Sequence, residues 1–142
     1  MADANGLDSA VLILLQQDTQ LLALCPDGTW WDRAPVGLSQ FVIVSLFDHE
    51  DIPGLDDTDL WERTEYLVKA VVRSKSGTTA GDAAARIHTL LHRTVIDLAP
   101  ASYAYMASRR LRRVDYTEPD PSDKAMNWHH NGGTYELAAT AL

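Results

Sequence analysis

Between Leu60 and Arg73 the even positions Leu60, Tyr66, Val68, Ala70 and Val72 are mainly apolar, while Arg63, Glu65, Lys69 and Arg73 hold odd ones. A period of two predicts a half-buried strand, because successive side chains leave a strand on opposite faces. The small-residue turn Ser74-Lys75-Ser76-Gly77-Thr78 follows, and Ala80, Ala84, Ile87, Leu91 and Leu98 then recur at helical spacing up to a stop at Ala99-Pro100. Thr79 with Asp82 fits a capping box and predicts where that helix starts.

The same reading applied upstream predicts a first helix capped by Asp8, with Leu7 and Leu12 as a hydrophobic staple and a stripe of Val11, Leu14 and Leu15. Asp18 falls on the next stripe position, so the helix should break there and a short turn, Thr19 to Leu24, should start under an Asp18 cap. Pro26-Asp27-Gly28 ends that turn, Thr29-Trp30-Trp31 reads as a short strand, and Phe41 to Phe47 is β-branched and aromatic enough for a buried one. Tyr103 to Tyr116 reads as a long strand broken in hydrophobicity by four arginines, and Thr134 to Thr140 as the last strand, entered through an Asn131-Gly132-Gly133 turn. The expected fold is a single α+β domain over 1–142: a two-layer, mainly antiparallel sheet of four to five strands, with two main helices packed on one face.

Length and composition narrow the function. A domain of 142 residues buries roughly 70% of its unfolded surface, so no disulfide or cofactor is needed to explain folding. Cys25 is the single cysteine, which leaves neither an intrachain disulfide nor a CxxC metal site and suits a reducing compartment; a small buried residue is its expected role. The run Val11 to Leu15 is preceded by Asp3 and Asp8 with no Lys or Arg, the wrong sign for a signal peptide, and no run approaches the length of about 20 apolar residues that spans a bilayer. Twenty acidic against twelve basic residues, a formal charge of -8, disfavour nucleic acid and anionic membrane as partners. Protein is the expected partner.

Candidate chemistry is sparse. Lys75 precedes Ser76-Gly77, whereas a Walker loop needs Gly-Lys-Ser/Thr, so the loop reads as a plain turn. His88 and His92 have the spacing of two ligands on one helix face, but Thr89-Leu90-Leu91 between them lacks the glutamate of a HExxH site, and both read as boundary residues. His129-His130 could meet a metal only with a distant carboxylate, and reads as a solvated loop. A metal-dependent enzyme would have to use His88, His92, His129 or His130; no nucleophile, base and orienter set accompanies them, so neither catalytic residue nor cofactor is expected.

The charges are the more informative feature. Asp48, Glu50, Asp51, Asp56, Asp57 and Asp59 fall in a segment without Lys or Arg and without calcium-loop spacing, which reads as a solvated, mobile hairpin or loop or, more sharply, as the complement of the Arg109–Arg113 cluster. In a regular strand Arg110 and Arg112 leave on one side and Arg109 and Arg113 on the other. Both sides cannot be dry core, so this strand should project or sit at an edge. A chain with an acidic loop and a basic strand can associate head to tail, and such contacts build rings when the rotation closes. Asp56, Asp57, Asp59, Arg110 and Arg112 are the expected interface residues.

The segment Val71-Val72-Arg73-Ser74-Lys75-Ser76-Gly77, running into Ala80, Ala83, Ala84, Ile87, Leu90 and Leu91, resembles the central strand and helix of phage tail terminators, also called tail completion proteins, of long-tailed phages. Trp30-Trp31-Asp32-Arg33-Ala34-Pro35 looks like the short strand before that family's first sheet strand, and with the opening helices Val11 to Leu24 the likeness covers nearly the whole chain. The Trp30-Trp31 pair and the arginine-dense strand depart from the pattern. The resemblance implies a structural virion protein assembled in the host cytoplasm: a ring of identical copies, typically a hexamer, on the head-proximal end of the tail tube, where it stops tube growth. Implied partners are other copies of the chain, the major tail tube protein, a neck or head-completion protein and the tape measure protein. A neck or head-closure adaptor is the alternative within the virion.

Overall fold

The computed structural model describes residues 3–54 and 59–142. Its element order is α1 (Ala4–Gln17), α2 (Thr19–Leu24), β1 (Thr29–Trp31), β2 (Gln40–Pro53), β3 (Asp59–Ser74), α3 (Thr78–Leu91), a 3-10 turn (Ala99–Ala101), β4 (Tyr103–Pro119) and β5 (Asn127–Ala141). The five strands form one sheet in the order β1-β2-β3-β5-β4. Short β1 runs parallel to β2, and every other pairing is antiparallel. The helices pack on one face, so the expected α+β, two-layer class holds.

The period of two in β3 translates directly into burial. Tyr66, Val68, Ala70 and Val72 all face the helices and are at most 1% exposed. They meet Val42 and Val44 of β2, Tyr135, Leu137 and Ala139 of β5, and three helical stripes: Leu7, Val11 and Leu15 of α1, Leu21 of α2, and Ala80, Ala83, Ile87 and Leu91 of α3. Each fully buried Leu, Ile or Val contributes about 1.5–3 kcal/mol relative to exposure. Cys25 is buried in the same core, and burial pushes its thiol up to about 12.

Asp18 divides α1 from α2 as the pattern predicts. It accepts a hydrogen bond from the Leu21 amide at 2.8 Å, and the Arg86 guanidinium of α3 donates to both of its oxygens at 2.9 and 2.6 Å. The start of α1 differs from expectation: Asp3, not Asp8, is the cap, accepting from the Asn5 amide at 3.1 Å. Asp8 lies one turn inside the helix, where its carboxylate accepts from the Tyr66 hydroxyl at 2.7 Å, a tertiary use that replaces the capping one.

At α3 both ends move. Its N-cap is Gly77 with no side-chain bond, so Thr79 already lies inside the helix and the Thr79–Asp82 capping box does not form. The helix stops at Leu91 rather than reaching Leu98. Arg93 takes a positive φ of 52°, and edge strand β4 draws the chain out of the helix: the Arg93 amide donates to the Ser108 carbonyl at 2.8 Å, and His92 Nδ1 accepts from the Arg110 amide at 3.0 Å. Ile96 and Leu98 still reach the core, at 4% and 1% exposure, from non-helical chain.

Two strands are longer than expected. β2 continues through Asp48, Glu50 and Asp51 to Pro53, so of the two forms expected, hairpin or loop, these acidic residues take the first and ride on a strand paired with β3. β5 starts at Asn127, so Asn131-Gly132-Gly133 is strand interior and not a turn. The glycines serve close backbone approach: a Cβ on Gly132 would stand 2.0 Å from the Val68 carbonyl oxygen, and one on Gly133 2.5 Å from that of Arg112.

Candidate assembly surface

Because the helices lie on one side of the sheet, alternate residues of four long strands face the other way, and among the described residues no layer covers them. Near the far end of the β2–β3 hairpin this face is ionic. Arg63 donates to Glu136 at 2.9 Å, to Asp48 at 3.1 Å and to Glu50 at 3.4 Å, and Arg109 reaches Glu136 from β4 at 3.4 Å. The hydrogen bond to Glu136 is the main reason that the Arg63 guanidinium is held above its ordinary pKa. Such half-exposed pairs contribute about 0–1 kcal/mol each, so they fix orientation across four strands more than they add stability.

At the other end the same face is aromatic. The Phe41 and Trp128 rings lie 6.4 Å apart, Tyr116 stacks on His130 at 4.3 Å, and Lys69 sits over the Tyr116 ring while donating to its hydroxyl at 2.7 Å. Ile43 and Val71 are buried here, outside the helix-side core. A shallow groove of about 280 Å³ runs between Phe47, Leu67, Arg112 and Tyr116. Phe47 marks a β2 bulge between Leu46 and Asp48 and is 65% exposed.

The arginines of β4 are divided differently from a regular strand. Register shifts fall between Tyr105 and Ala107 and between Arg110 and Arg112. Leu111 is thereby an extra residue, a bulge that lets Arg110 pair with Tyr135 and Arg112 with the adjacent Thr134. Arg110 and Arg112 therefore leave on opposite faces, contrary to the alternation expected from sequence. Arg109 and Arg112 join the helix-free face; Arg110 and Arg113, opposite Tyr135 and Gly133, join the helix side. Of the expected acidic partners, Asp56 and Asp57 lie outside the described residues, and the Asp59 backbone opens β3 opposite Pro53.

The histidines form no common centre. His88 and His92 do share one side of α3, stacked at 4.3 Å, but His88 Nδ1 lies 3.2 Å from the Tyr135 hydroxyl and His92 Nδ1 is occupied by the Arg110 amide. His129 and His130 belong to β5 rather than to a loop and point to opposite faces: His129 Nε2 bonds the Ser74 carbonyl at 3.1 Å, while His130 Nε2 is 3.3 Å from Glu118 and its Nδ1 is buried without a partner. Burial first, then the Lys69 charge, holds His130 below its ordinary pKa. Among the described residues, the group close enough to share a cation is instead His49, Asp51 and Glu62, with His49 Nε2 3.7 Å from Asp51 and 3.2 Å from Glu62. Extending the period-two reading of β2 past Phe47 would have put His49 and Asp51 on one face; the cross-strand partner Glu62 requires the register.

No protein-family model matches the chain, and no curated protein matches it by sequence. Solved structures do match. A chain from the virion of a native gene transfer agent particle superposes with a TM-score of 0.69 at 19% identity, over 97% of both chains. The two share one fold from end to end. A second solved chain shares it more loosely, with a TM-score of 0.53 at 13% identity over 99% of this chain and 96% of that one. Neither fold match needs any part of the sheet or the helical layer to be set aside.

Proposed function

We propose that this chain is a structural virion protein, a tail-terminator subunit that forms a closed ring, six copies being the expected number, on the head-proximal end of a phage-like tail tube. The observation that carries the reading is the whole-length likeness to a chain of a gene transfer agent virion, 97% of each chain. The sequence resemblance to tail terminators supplies the finer role. In that role the chain meets other copies of itself, the major tail tube protein, a neck or head-completion protein and the tape measure protein, and does no catalysis.

The surface suits assembly. A bare sheet face with exposed Phe47 and Tyr116 offers apolar contact area, while charge is segregated: carboxylates on the β2–β3 hairpin, with Asp56, Asp57 and Asp59 adding to it in the sequence, and Arg110 and Arg112 on β4. Buried apolar contacts would supply most of the affinity and charges the orientation and the exclusion of wrong partners. The test is direct. Native mass measurement and negative-stain images of the purified protein should give rings, and labelled antibody should mark the neck end of isolated tails. Solitary molecules or symmetric pairs at every concentration would refute the ring; label on the distal tip or on heads would refute the terminator role.

A further inference from the structure

The helix side of the β4–β5 hairpin holds a pocket of about 340 Å³. It exists because α3 turns Gly81 and Ala84 toward the strands, side chains too small to close the gap. Its opposite wall is cationic, formed by Arg110 and Arg113, with His88 and Asn131 between. Arg110 and Arg113 are brought to this wall together by the Leu111 bulge and by pairing with Tyr135 and Gly133.

The charges here are unanswered. In a chain of net charge -8, Arg63, Arg73, Arg86 and Arg109 each hold at least one carboxylate. Among the described residues neither Arg110 nor Arg113 does. Asp115, opposite Asn131, shares the face, but among the described residues it forms no ion pair with either arginine. The resulting potential is felt by His88, whose pKa is held down by burial first and then by the Arg110 and His92 charges. Arg110 also bonds the neutral Tyr135 hydroxyl, but two guanidinium forks and a side-chain amide around a small concavity, with no carboxylate paired to either fork among the described residues, are the arrangement that recognises a carboxylate or a similar oxyanion.

We propose that this pocket is an oxyanion site and that, in the ring on which this inference rests, its occupant is a carboxylate of the acidic β2–β3 hairpin of the next copy. Charge complementarity selects the hairpin: Asp48, Glu50 and Asp51 line its described part, and whereas Arg63 holds the first two, Asp51 is half-exposed, with His49 3.7 Å away and the like-charged Glu62 opposite it across the ladder. A copy cannot serve its own pocket from there, since β3 and β5 stand between β2 and β4, a separation of about 14 Å at the usual strand spacing. The contact is therefore heterologous, pocket to hairpin, which is what a ring requires.

Arg113 is exposed, so Arg113→Glu should fold, as circular dichroism will check. At a concentration where the wild type forms rings by native mass measurement, Arg113→Glu and Asp51→Arg should each reduce the ring fraction at least tenfold, and the double variant in one chain should recover it. Separately, sulfate added to dilute wild-type protein should shift the His88 ring resonances saturably, and should not in Arg113→Gln. Rings unaffected by Arg113→Glu, or no recovery in the double variant, overturn the hairpin as occupant. A His88 signal indifferent to sulfate overturns the oxyanion site. Saturable sulfate binding in a protein that never forms rings leaves the site standing and removes both the hairpin and the ring.

Discussion

Gly132 has a backbone that no other residue can share, because its absent Cβ would lie 2.0 Å from the Val68 carbonyl oxygen and 2.6 Å from the Lys69 Cα. Gly132→Ala must push β5 away from β3 in the middle of their pairing, and should cost about 3 kcal/mol or more in a urea titration, if the variant folds at all. In the sequence the Asn-Gly-Gly triplet looks like a turn, the commonest use of such residues; the rarer use, close approach of two strands, shows only when the neighbouring strand is in place. The histidines lead to a prediction about pH. His88 and His130 are both held below the ordinary value of about 6.5, so the unfolded chain binds more protons than the folded one below that value. Stability should therefore fall as pH drops below about 6.5. Asp8, raised by burial, acts in the opposite sense just above the ordinary aspartate range, and the depressed Asp18 and Asp120 add their own loss at still lower pH. Melting temperatures from pH 7 to 5 should decline, and His130→Gln should flatten part of the decline.

Asp18 joins three helices: it ends α1, caps α2 and ion-pairs with Arg86 of α3. Asp18→Ala should lose about 1–2 kcal/mol, the range of a lost cap plus its charged partner. Arg86→Gln, which leaves the cap in place, should lose less; denaturant midpoints measure both. This break was legible because a polar residue fell on an apolar stripe position with cap chemistry of its own. The first cap was not: Asp3 and Asp8 are equally good by type, and Tyr66, remote in sequence, takes the second. The acidic half of β2 is open to both hairpin and loop in the sequence, because carboxylates are depleted from strands. It pairs nonetheless, since Arg63 across the ladder neutralises Asp48 and Glu50 while His49 faces Glu62.

For the molecule as a whole, charge segregation implies a salt dependence. If rings form through a basic β4 and an acidic hairpin on a mainly apolar footing, 0.5 M salt, where the Debye length falls to about 4 Å, should slow assembly severalfold yet leave assembled rings intact. Light scattering after dilution of concentrated salt reads the rate, and native mass measurement reads the end state. Combined reversal, Arg110→Glu with Arg112→Glu, should abolish ring formation without unfolding the subunit. Because the Leu111 bulge sends these two arginines to opposite faces, the single reversals should differ, with Arg110→Glu acting at the pocket and Arg112→Glu at the bare sheet face.

The sequence by itself determined that β3 is amphipathic, that α1 breaks at Asp18, that Thr29–Trp31 is a strand and that helices cover one side of a mainly antiparallel sheet. Each of these follows from spacing along a single segment, where local geometry converts position into face. Tertiary structure decided the rest: which face each arginine of β4 takes, which histidine meets carboxylates, and why Gly132 is glycine. Those depend on how many residues of one strand stand opposite how many of another, and one extra residue, Leu111, is enough to send Arg110 and Arg112 apart.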